Sequence, residues 1–278
     1  MEQQEANERQ RQIEENQRLA ALNDAQNDII KQEVEKEPLI GPALQLDVLY
    51  NEFCDSPNFL NKAKNLGTLF GRTLIRRARK DGSCFYRCFI YRLCELLCMG
   101  THISDRFKLE EKLPKFRQMM LNAGFELLVF EDFENFFGEF LAAIRNGSIN
   151  LLNVNQSLSD KSSFDFYVMY LRFAISAYIR TTPGIFDMYF ETDYDLRSFC
   201  SREVEVLDAE ADQLQIIALF NLLDIPLRIF YLDNNPSSLP TVFSLPDLDQ
   251  NTTEAVQKSH SEYLIQLLYR PGHYDILY

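Results

Sequence analysis

The sequence predicts an α+β fold in which helices pack on a small, mostly antiparallel sheet. Apolar residues recur at helical spacing along most of the 278 residues. Patterns typical of strands are concentrated after residue 224, and a Pro271-Gly272 pair separates the last two of them. A chain in which helices mainly come first and strands mainly last is typical of α+β domains, whereas α/β proteins alternate the two.

The first 36 residues contain no Gly or Pro and are rich in Glu, Gln, Asn and Arg. Two interpretations fit this segment: a solvated helix that is partly frayed, or a helix that docks on a partner through a thin apolar stripe. Pro38 and Gly41-Pro42 mark a boundary near residue 40. We therefore predict a polar helical arm over residues 1–40 and a folded domain over residues 41–278. The apolar residues of the stripe are Ile13, Leu19, Leu22, Ile29, Ile30 and Val34.

The folded domain is predicted to begin with short helices over residues 44–69 and a short strand at residues 73–75. The basic run at residues 76–80 is predicted to be a solvated loop. A strongly apolar run over residues 85–99 predicts a central helix that is buried in the core. Apolar spacing predicts further helices at residues 104–123, 130–146 and 164–181, and a helix that begins near residue 211.

The end of the chain changes to strand patterns. Residues 225–231 alternate apolar and polar positions and contain β-branched residues, so they predict a strand. Residues 234–246 are rich in Asn, Pro and Ser and are predicted to form a loop. Residues 263–269 and 273–278 predict two further strands. Pro271-Gly272 between them is the preferred centre of a type II turn, which indicates an antiparallel hairpin.

The formal net charge of −13 disfavours nucleic acid as a partner, because phosphates are bound by Lys and Arg. It suits basic partners instead. The N-terminal residues lack the pattern of a secretory signal, and no apolar run is long enough to span a membrane. The six cysteines are therefore expected to be reduced thiols. The predicted compartment is the cytoplasm, with the nucleus as a second one.

Four of the cysteines lie close together in sequence, which raises the question of a zinc site. Cys84 and Cys94 are ten residues apart. On one helix that separation is about 15 Å, at about 1.5 Å rise per residue. A tetrahedral ion with Zn–S bonds of about 2.3 Å cannot gather ligands spread so far. We predict no metal site at Cys84, Cys88, Cys94 and Cys98.

Cys84 is a candidate nucleophile because it stands at the predicted start of the central helix, after an Asp81-Gly82 turn pair. Helix N-termini stabilise anions and lower the pKa of thiols. The same backbone N–H groups can receive the oxyanion of a tetrahedral intermediate. The alternative is that Cys84 is a small buried apolar residue, as most cysteines beside aromatic residues are.

His273 and Asp275 supply a partner for this cysteine at the other end of the chain. Residues two apart on a strand point to the same face. The carboxylate can therefore accept a hydrogen bond from one imidazole nitrogen and leave the other free to take a thiol proton. Of the other two histidines, His102 has no carboxylate at that spacing, and His260, which is followed two residues later by Glu262, lies in a predicted polar loop rather than on a strand.

Two motifs resemble a known family. The stretch DGSCFYR, residues 81–87, resembles the nucleophile motif of ovarian-tumour (OTU) deubiquitinases. The closing YRPGHYDILY, residues 269–278, resembles the C-terminal signature of their otubain branch. The likeness extends from about Leu39 to the end of the chain. One departure is Ser83, where the family usually has Asn; the position is expected to contribute backbone geometry, so we expect the change to be tolerated.

The resemblance implies a papain-like cysteine protease fold and hydrolysis of the isopeptide bond between the ubiquitin C-terminus and a lysine. By the same resemblance, Cys84 is the nucleophile, His273 the general base and later acid, and Asp275 the residue that orients the histidine. Asp81 helps to shape the oxyanion loop. No cofactor is implied.

The resemblance also implies partners: ubiquitin and polyubiquitin, with a preference for the chain linkage that marks proteins for the proteasome. A different function follows from one otubain subtype, in which the matching N-terminal helix contacts ubiquitin. In that alternative the chain binds and inhibits ubiquitin-charged conjugating enzymes without catalysis, through the arm of residues 1–40 and the surface of the domain.

Overall fold

The structure is a computed structural model that describes residues 2–100, 108–186, 189, 195–247 and 263–278. Its backbone divides into two units, Met1–Pro38 and Leu39–Tyr278. The first unit is helix α1, Glu2–Lys36. Among its described side chains, Leu19, Leu22, Ile29 and Ile30 are each more than half exposed.

The second unit contains a six-stranded sheet with the strand order β1-β2-β6-β5-β3-β4. All neighbouring strands are antiparallel except β3 and β5, which run parallel. The predicted α+β class with a mostly antiparallel sheet is therefore confirmed. The strands are β1 Ile40–Gln45, β2 Leu74–Ala78, β3 Leu227–Tyr231, β4 Thr241–Leu245, β5 Ile265–Arg270 and β6 His273–Leu277.

Two strands were not predicted, and both lie at the edges of the sheet. The N-terminal part of the predicted helical segment 44–69 belongs to β1, and β4 lies inside the predicted loop 234–246. Each pairs with a single neighbour and is only partly buried, so its apolar pattern is weak. Gly41-Pro42 falls where the register of β1 shifts, which is where edge strands tolerate proline.

The predicted helices are present with shifted ends. Residues 104–107 of one predicted helix lie outside the described residues, and a turn at residues 53–56 divides the predicted segment 44–69 into two helices. The helices are α2 Val48–Glu52, α3 Pro57–Thr68, α4 Cys84–Met99, α5 Leu109–Asn122, α6 Leu127–Arg145, α7 Val154–Ser157, α8 Lys161–Thr181, α9 Pro183–Phe186, α10 Leu196–Phe199 and α11 Gln213–Leu223, with a π-helical turn at Cys200–Val204. None of the described helices combines the length and apolar content that spanning a bilayer requires.

The sheet separates two apolar cores. The larger core joins α4, α5, α6, α8 and α11 to one face of the sheet, and Tyr274 and Ile276 are the contributions of β6. The smaller core joins α2 and α3 to the other face, and Leu277 is the contribution of β6. Because side chains alternate along a strand, His273 and Asp275 lie on the face of Leu277, while Tyr274 and Ile276 face α4.

The hairpin of β5 and β6 forms as predicted. Arg270 pairs with His273 across the turn, and Gly272 has φ +74°, which the third position of a type II turn requires. The basic run at residues 76–80 is not the solvated loop that was predicted. Arg76 and Arg77 belong to β2, and Arg79 is buried.

The larger core provides a direct test of the fold. Replacing Leu141 of α6, which is 4% exposed, by Ala should lower the free energy of unfolding by about 2–5 kcal/mol, because the change removes buried methyl groups and leaves a cavity. Leu128→Ala on the same helix, at a position 86% exposed, should change it by less than about 0.5 kcal/mol. Urea unfolding measures both. Equal losses in the two variants would contradict this assignment of the core.

Candidate active site

The candidate nucleophile lies at the start of the central helix, as predicted. Cys84 is the first residue of α4, and Ser83 precedes the helix. Gly82 has φ +73°, and a Cβ atom at this position would lie only 1.9 Å from the carbonyl oxygen of Asp208. Glycine is therefore required here both by its backbone conformation and by the neighbouring segment.

Asp81 organises the loop before the helix. Its carboxylate accepts a hydrogen bond from the Ser83 N–H at 3.1 Å, which folds the loop into a tight turn. Arg87, whose side chain is fully buried, donates to Asp81 at 2.8 Å and to Asp165 at 2.7 Å. Asp81 thus ties the loop to the first turn of α4, as a residue that shapes an oxyanion loop would.

The segment before α11 packs on this loop, a contact that the sequence did not indicate. The hydroxyl of Ser83 accepts long hydrogen bonds, both 3.4 Å, from the Asp208 N–H and from Arg172. Arg172 also donates to the carbonyl oxygens of Val204 and Ala209. The buried guanidinium therefore connects the loop of Ser83 to the segment 204–209.

His273 and Asp275 form the pair that their spacing predicted. The Nε2 atom of His273 lies 2.9 Å from Oδ1 of Asp275, and both side chains are buried. Burial favours a higher pKa for Asp275, but the His273 hydrogen bond and the charges of Arg270 and Arg77 outweigh it and hold the pKa at about 2. Because this carboxylate is ionised, Nε2 carries the proton and donates, which leaves Nδ1 as an acceptor.

The thiol of Cys84 lies beside the same strand. Its Sγ accepts a hydrogen bond from the backbone N–H of Tyr274 at 3.4 Å, and Cys84 is only 3% exposed. Nδ1 of His273 is buried and has no hydrogen-bond partner in the described structure. The base, His273, is thus the residue next to Tyr274, whose N–H holds the Cys84 sulfur, but the sulfur and the imidazole share no hydrogen bond.

Burial raises the pKa of the Cys84 thiol to about 12, although the backbone N–H groups of Tyr274 and Phe85 act to lower it. The charges of Asp81 and Asp275 raise the pKa further. The expectation of a lowered thiol pKa is therefore wrong for this conformation, because desolvation of the thiolate outweighs the effect of the helix N-terminus. Reaction requires that Sγ become accessible and approach Nδ1 of His273.

Of the predicted site residues, the structure brings Cys84, His273 and Asp275 together and places Asp81 in the adjoining loop. His102 and His260 lie outside the described residues. The sequence analysis did not identify Arg77 and Arg270, which contact Asp275 at 3.1 and 2.6 Å. The sequence features that could have pointed to them are the basic run at residues 76–80, which contains Arg77, and the closing motif at residues 269–278, which contains Arg270.

All four clustered cysteines lie on α4. Within the described part of the chain, no group of three or more His, Cys, Asp or Glu side chains is arranged to hold a metal ion.

An α+β fold with a cysteine at a helix start beside a histidine–carboxylate pair has the arrangement found in cysteine peptidases. The family model described as Peptidase C65 Otubain matches residues 32–278. The chain therefore belongs to the otubain family of peptidases.

Relatives and solved structures support this assignment. Ubiquitin thioesterase OTUB1 of Homo sapiens is 32% identical over 256 residues, which cover 91% of this chain and 88% of the relative. Ubiquitin thioesterase OTUB2 of Homo sapiens is 32% identical and covers 74% of this chain and 81% of its own. A complex of h/ceOTUB1 with ubiquitin aldehyde and UBC13~Ub matches with a TM-score of 0.80 and 28% identity, covering 93% of this chain and 98% of that chain.

The burial of Cys84 predicts its reactivity in the absence of substrate. With a pKa of about 12, the thiolate fraction at pH 8 is on the order of 10⁻⁴. Iodoacetamide at pH 8 should therefore modify the exposed Cys54 well before Cys84. The rate at Cys84 should rise about tenfold per pH unit up to the limit of folding stability. Peptide mapping by mass spectrometry measures both rates, with the buried Cys88 as a reporter of unfolding. Faster modification of Cys84 than of Cys54 at pH 8 would overturn this account of the thiol.

Proposed function

We propose that this chain is a deubiquitinase that hydrolyses isopeptide bonds at the C-terminus of ubiquitin, with Cys84, His273 and Asp275 as its catalytic residues. The observation that carries the proposal is the buried 2.9 Å His273–Asp275 hydrogen bond, on a strand whose next residue contacts the Cys84 sulfur. Membership of a peptidase family and relatives named ubiquitin thioesterases support the same substrate class.

The geometry supports a two-step reaction. Nδ1 of His273 takes the thiol proton, and the Cys84 sulfur attacks the carbonyl carbon of the last ubiquitin residue. His273 then donates that proton to the departing lysine amine, which leaves a thioester between Cys84 and ubiquitin. Water, deprotonated by the same imidazole, attacks the thioester, releases the ubiquitin carboxylate and restores the thiol. Asp275 keeps the proton on Nε2 and stabilises the imidazolium in both steps.

Backbone N–H groups at the start of α4 are suited to stabilise the oxyanion. In the present conformation the N–H of Ser83 is bonded to Asp81 and the loop is covered by Asp208. Substrate binding must therefore move the loop, the segment 204–209, or both. Asp81 and Gly82 act in this step by fixing the conformation of the loop, Asp81 through its hydrogen bond to the Ser83 N–H and Gly82 through its positive φ.

We further propose a preference for the polyubiquitin linkage that marks proteins for the proteasome, on the basis of the otubain motifs. The acidic net charge of −13 suits the arginine-containing tail that ends ubiquitin.

Hydrolysis of a panel of diubiquitins covering every linkage tests both parts of the proposal. The intact protein should cleave the proteasome-targeting linkage fastest. Cys84→Ala should reduce the rate by at least about a thousandfold. Cys88→Ala should retain activity, because Cys88 lies one helical turn away and is buried against the Tyr274 carbonyl.

The panel separates the two claims. Equal rates across all linkages would contradict the linkage preference alone. Loss of activity only in Cys88→Ala, or retained activity in Cys84→Ala, would contradict the catalytic assignment.

A second candidate function is binding and inhibition of ubiquitin-charged conjugating enzymes through the arm of residues 1–40 and the domain surface. Two observations favour it. Leu19, Leu22 and Ile29 of α1 are exposed at spacings of three and seven residues, which places them on one side of the helix. Solved complexes that contain OTUB1 also contain UBC13~Ub or UBCH5B~Ub, and they match this chain with TM-scores of 0.80 and 0.76.

Substitution of the arm in the full chain tests this second function. Leu22→Ser/Ile29→Ser should weaken binding of a stable ubiquitin-conjugating-enzyme conjugate at least about tenfold, because it removes apolar contact area. The double variant Gln17→Ser/Gln26→Ser, at exposed polar positions of the same helix, is the matched control. Reaction with an electrophilic monoubiquitin probe should be equal in all three proteins. Unchanged affinity of the apolar variant, measured by calorimetry, would show that the arm takes no part in binding.

A further inference from the structure

The carboxylate of Asp275 is surrounded by more positive charge than a histidine-orienting residue needs. Its Oδ1 accepts the His273 hydrogen bond and a 3.0 Å hydrogen bond from the Ala78 N–H. Its Oδ2 accepts from Arg77 at 3.1 Å and from Arg270 at 2.6 Å. The two arginines belong to β2 and β5, the strands on either side of β6. Asp275 and these arginines alone would carry a net charge of about +1.

Glu52, the last residue of α2, removes this excess charge. One of its carboxylate oxygens accepts from Arg77 and the other from Arg270. The four side chains therefore form a closed ring in which carboxylates and guanidiniums alternate. With two charges of each sign, the ring is neutral. Glu52 lies on the outer side, with a side chain 36% exposed, while Asp275 is fully buried.

We propose that Glu52, Arg77 and Arg270 form a charge-balanced support for Asp275 that sets the pH range in which Cys84 and His273 react. This inference rests on the proposed catalytic role of Cys84, His273 and Asp275. Glu52 and Arg77 are positioning residues, since they act on the imidazole only through Asp275. Arg270 has the same role, and its burial makes it the least suitable of the three for substitution.

The direction of the effect follows from charge alone. Replacing Glu52 by the isosteric Gln leaves the ring with a net charge of +1. A nearby positive charge favours the thiolate over the thiol and opposes protonation of the imidazole. Both limbs of the bell-shaped pH profile therefore move to lower pH. Arg77→Gln leaves a net charge of −1 and moves both limbs to higher pH. The double variant is neutral again.

Other charged and titratable groups near His273 are the same in all these variants, so the shifts report the ring. They are Asp275 on β6, Arg270 and Tyr269 on β5, Tyr274 beside the sulfur, Cys84 on α4, and Glu210 and Asp212 in the segment before α11.

The test is a charge cycle on the full chain. kcat for a fluorogenic ubiquitin substrate, which reports ionisations in the substrate complex, is measured from about pH 5 to about pH 10 for the intact protein, Glu52→Gln, Arg77→Gln and the double variant. Glu52→Gln should move both limbs to lower pH by about half a pH unit, and Arg77→Gln should move both to higher pH by about the same amount. Both shifts should be smaller at high salt, because Glu52 and Arg77 are partly exposed. The double variant should return the limbs to their original positions. Glu110→Gln, which breaks the Glu110–Arg145 pair on α5 and α6, is the matched control and should shift neither limb.

A purely structural role would give a different result. In that case the singles would lower the rate without moving the limbs, and the double variant would be at least as impaired as either single; this outcome would overturn the proposal. The pH dependence of Cys84 alkylation, followed by peptide mapping, repeats the cycle without ubiquitin. If ubiquitin hydrolysis is absent in every protein, the proposed function fails, while the alkylation cycle still decides whether the ring sets the charge at Cys84. Alkylation profiles that coincide in all four proteins would refute the ring's role.

Discussion

The buried carboxylate of Asp275 is the constraint on which the site depends. An ionised group with no exposure is costly unless it is paired and hydrogen-bonded. Asp275 meets this requirement with partners from three strands: Ala78 and Arg77 of β2, Arg270 of β5, and His273 of its own strand. Loss of any partner leaves a buried charge less well compensated. The same contacts that stabilise the carboxylate therefore fix β2, β6 and β5 beside one another and orient the imidazole at the end of the sheet.

The nucleophile is subject to two opposing effects. The start of α4 supplies N–H groups that favour a thiolate, and the Tyr274 N–H adds another hydrogen bond. Burial of the sulfur opposes ionisation more strongly, so the pKa of Cys84 is raised to about 12. The contact between Gly82 and Asp208 shows how the closed state is maintained, because the segment before α11 rests directly on the loop that precedes the cysteine. Reactivity is thus linked to movement of a segment far from Cys84 in sequence.

The parts of the site that the sequence predicted are those that short spacings determine. A cysteine at a helix start and a histidine two residues from an aspartate on a strand need no knowledge of tertiary contacts. The two motifs that resemble those of the otubains indicated that the cysteine and the histidine–aspartate pair belong to one site. The charge ring was not predictable in this way, because Arg270 lies 218 residues from Glu52 and Arg77 lies 198 residues from Asp275. The edge strands β1 and β4 were missed for a related reason, since each is only partly buried and is defined by its pairing with a neighbour distant in sequence or across a loop rather than by a clear apolar alternation.

The acidic character of the chain acts on the site in two ways. In the proposed reaction, the excess of carboxylates in the chain attracts a basic substrate tail. The same sign of charge disfavours the thiolate, and Asp81 and Asp275 both raise the pKa of Cys84. Arg87 compensates for Asp81, and the two arginines of the ring compensate for Asp275. A basic tail bound over Cys84 would add positive charge where the thiolate forms, while displacement of Asp208 from Gly82 would expose the loop. Substrate binding and activation of the thiol would then depend on the same electrostatic change.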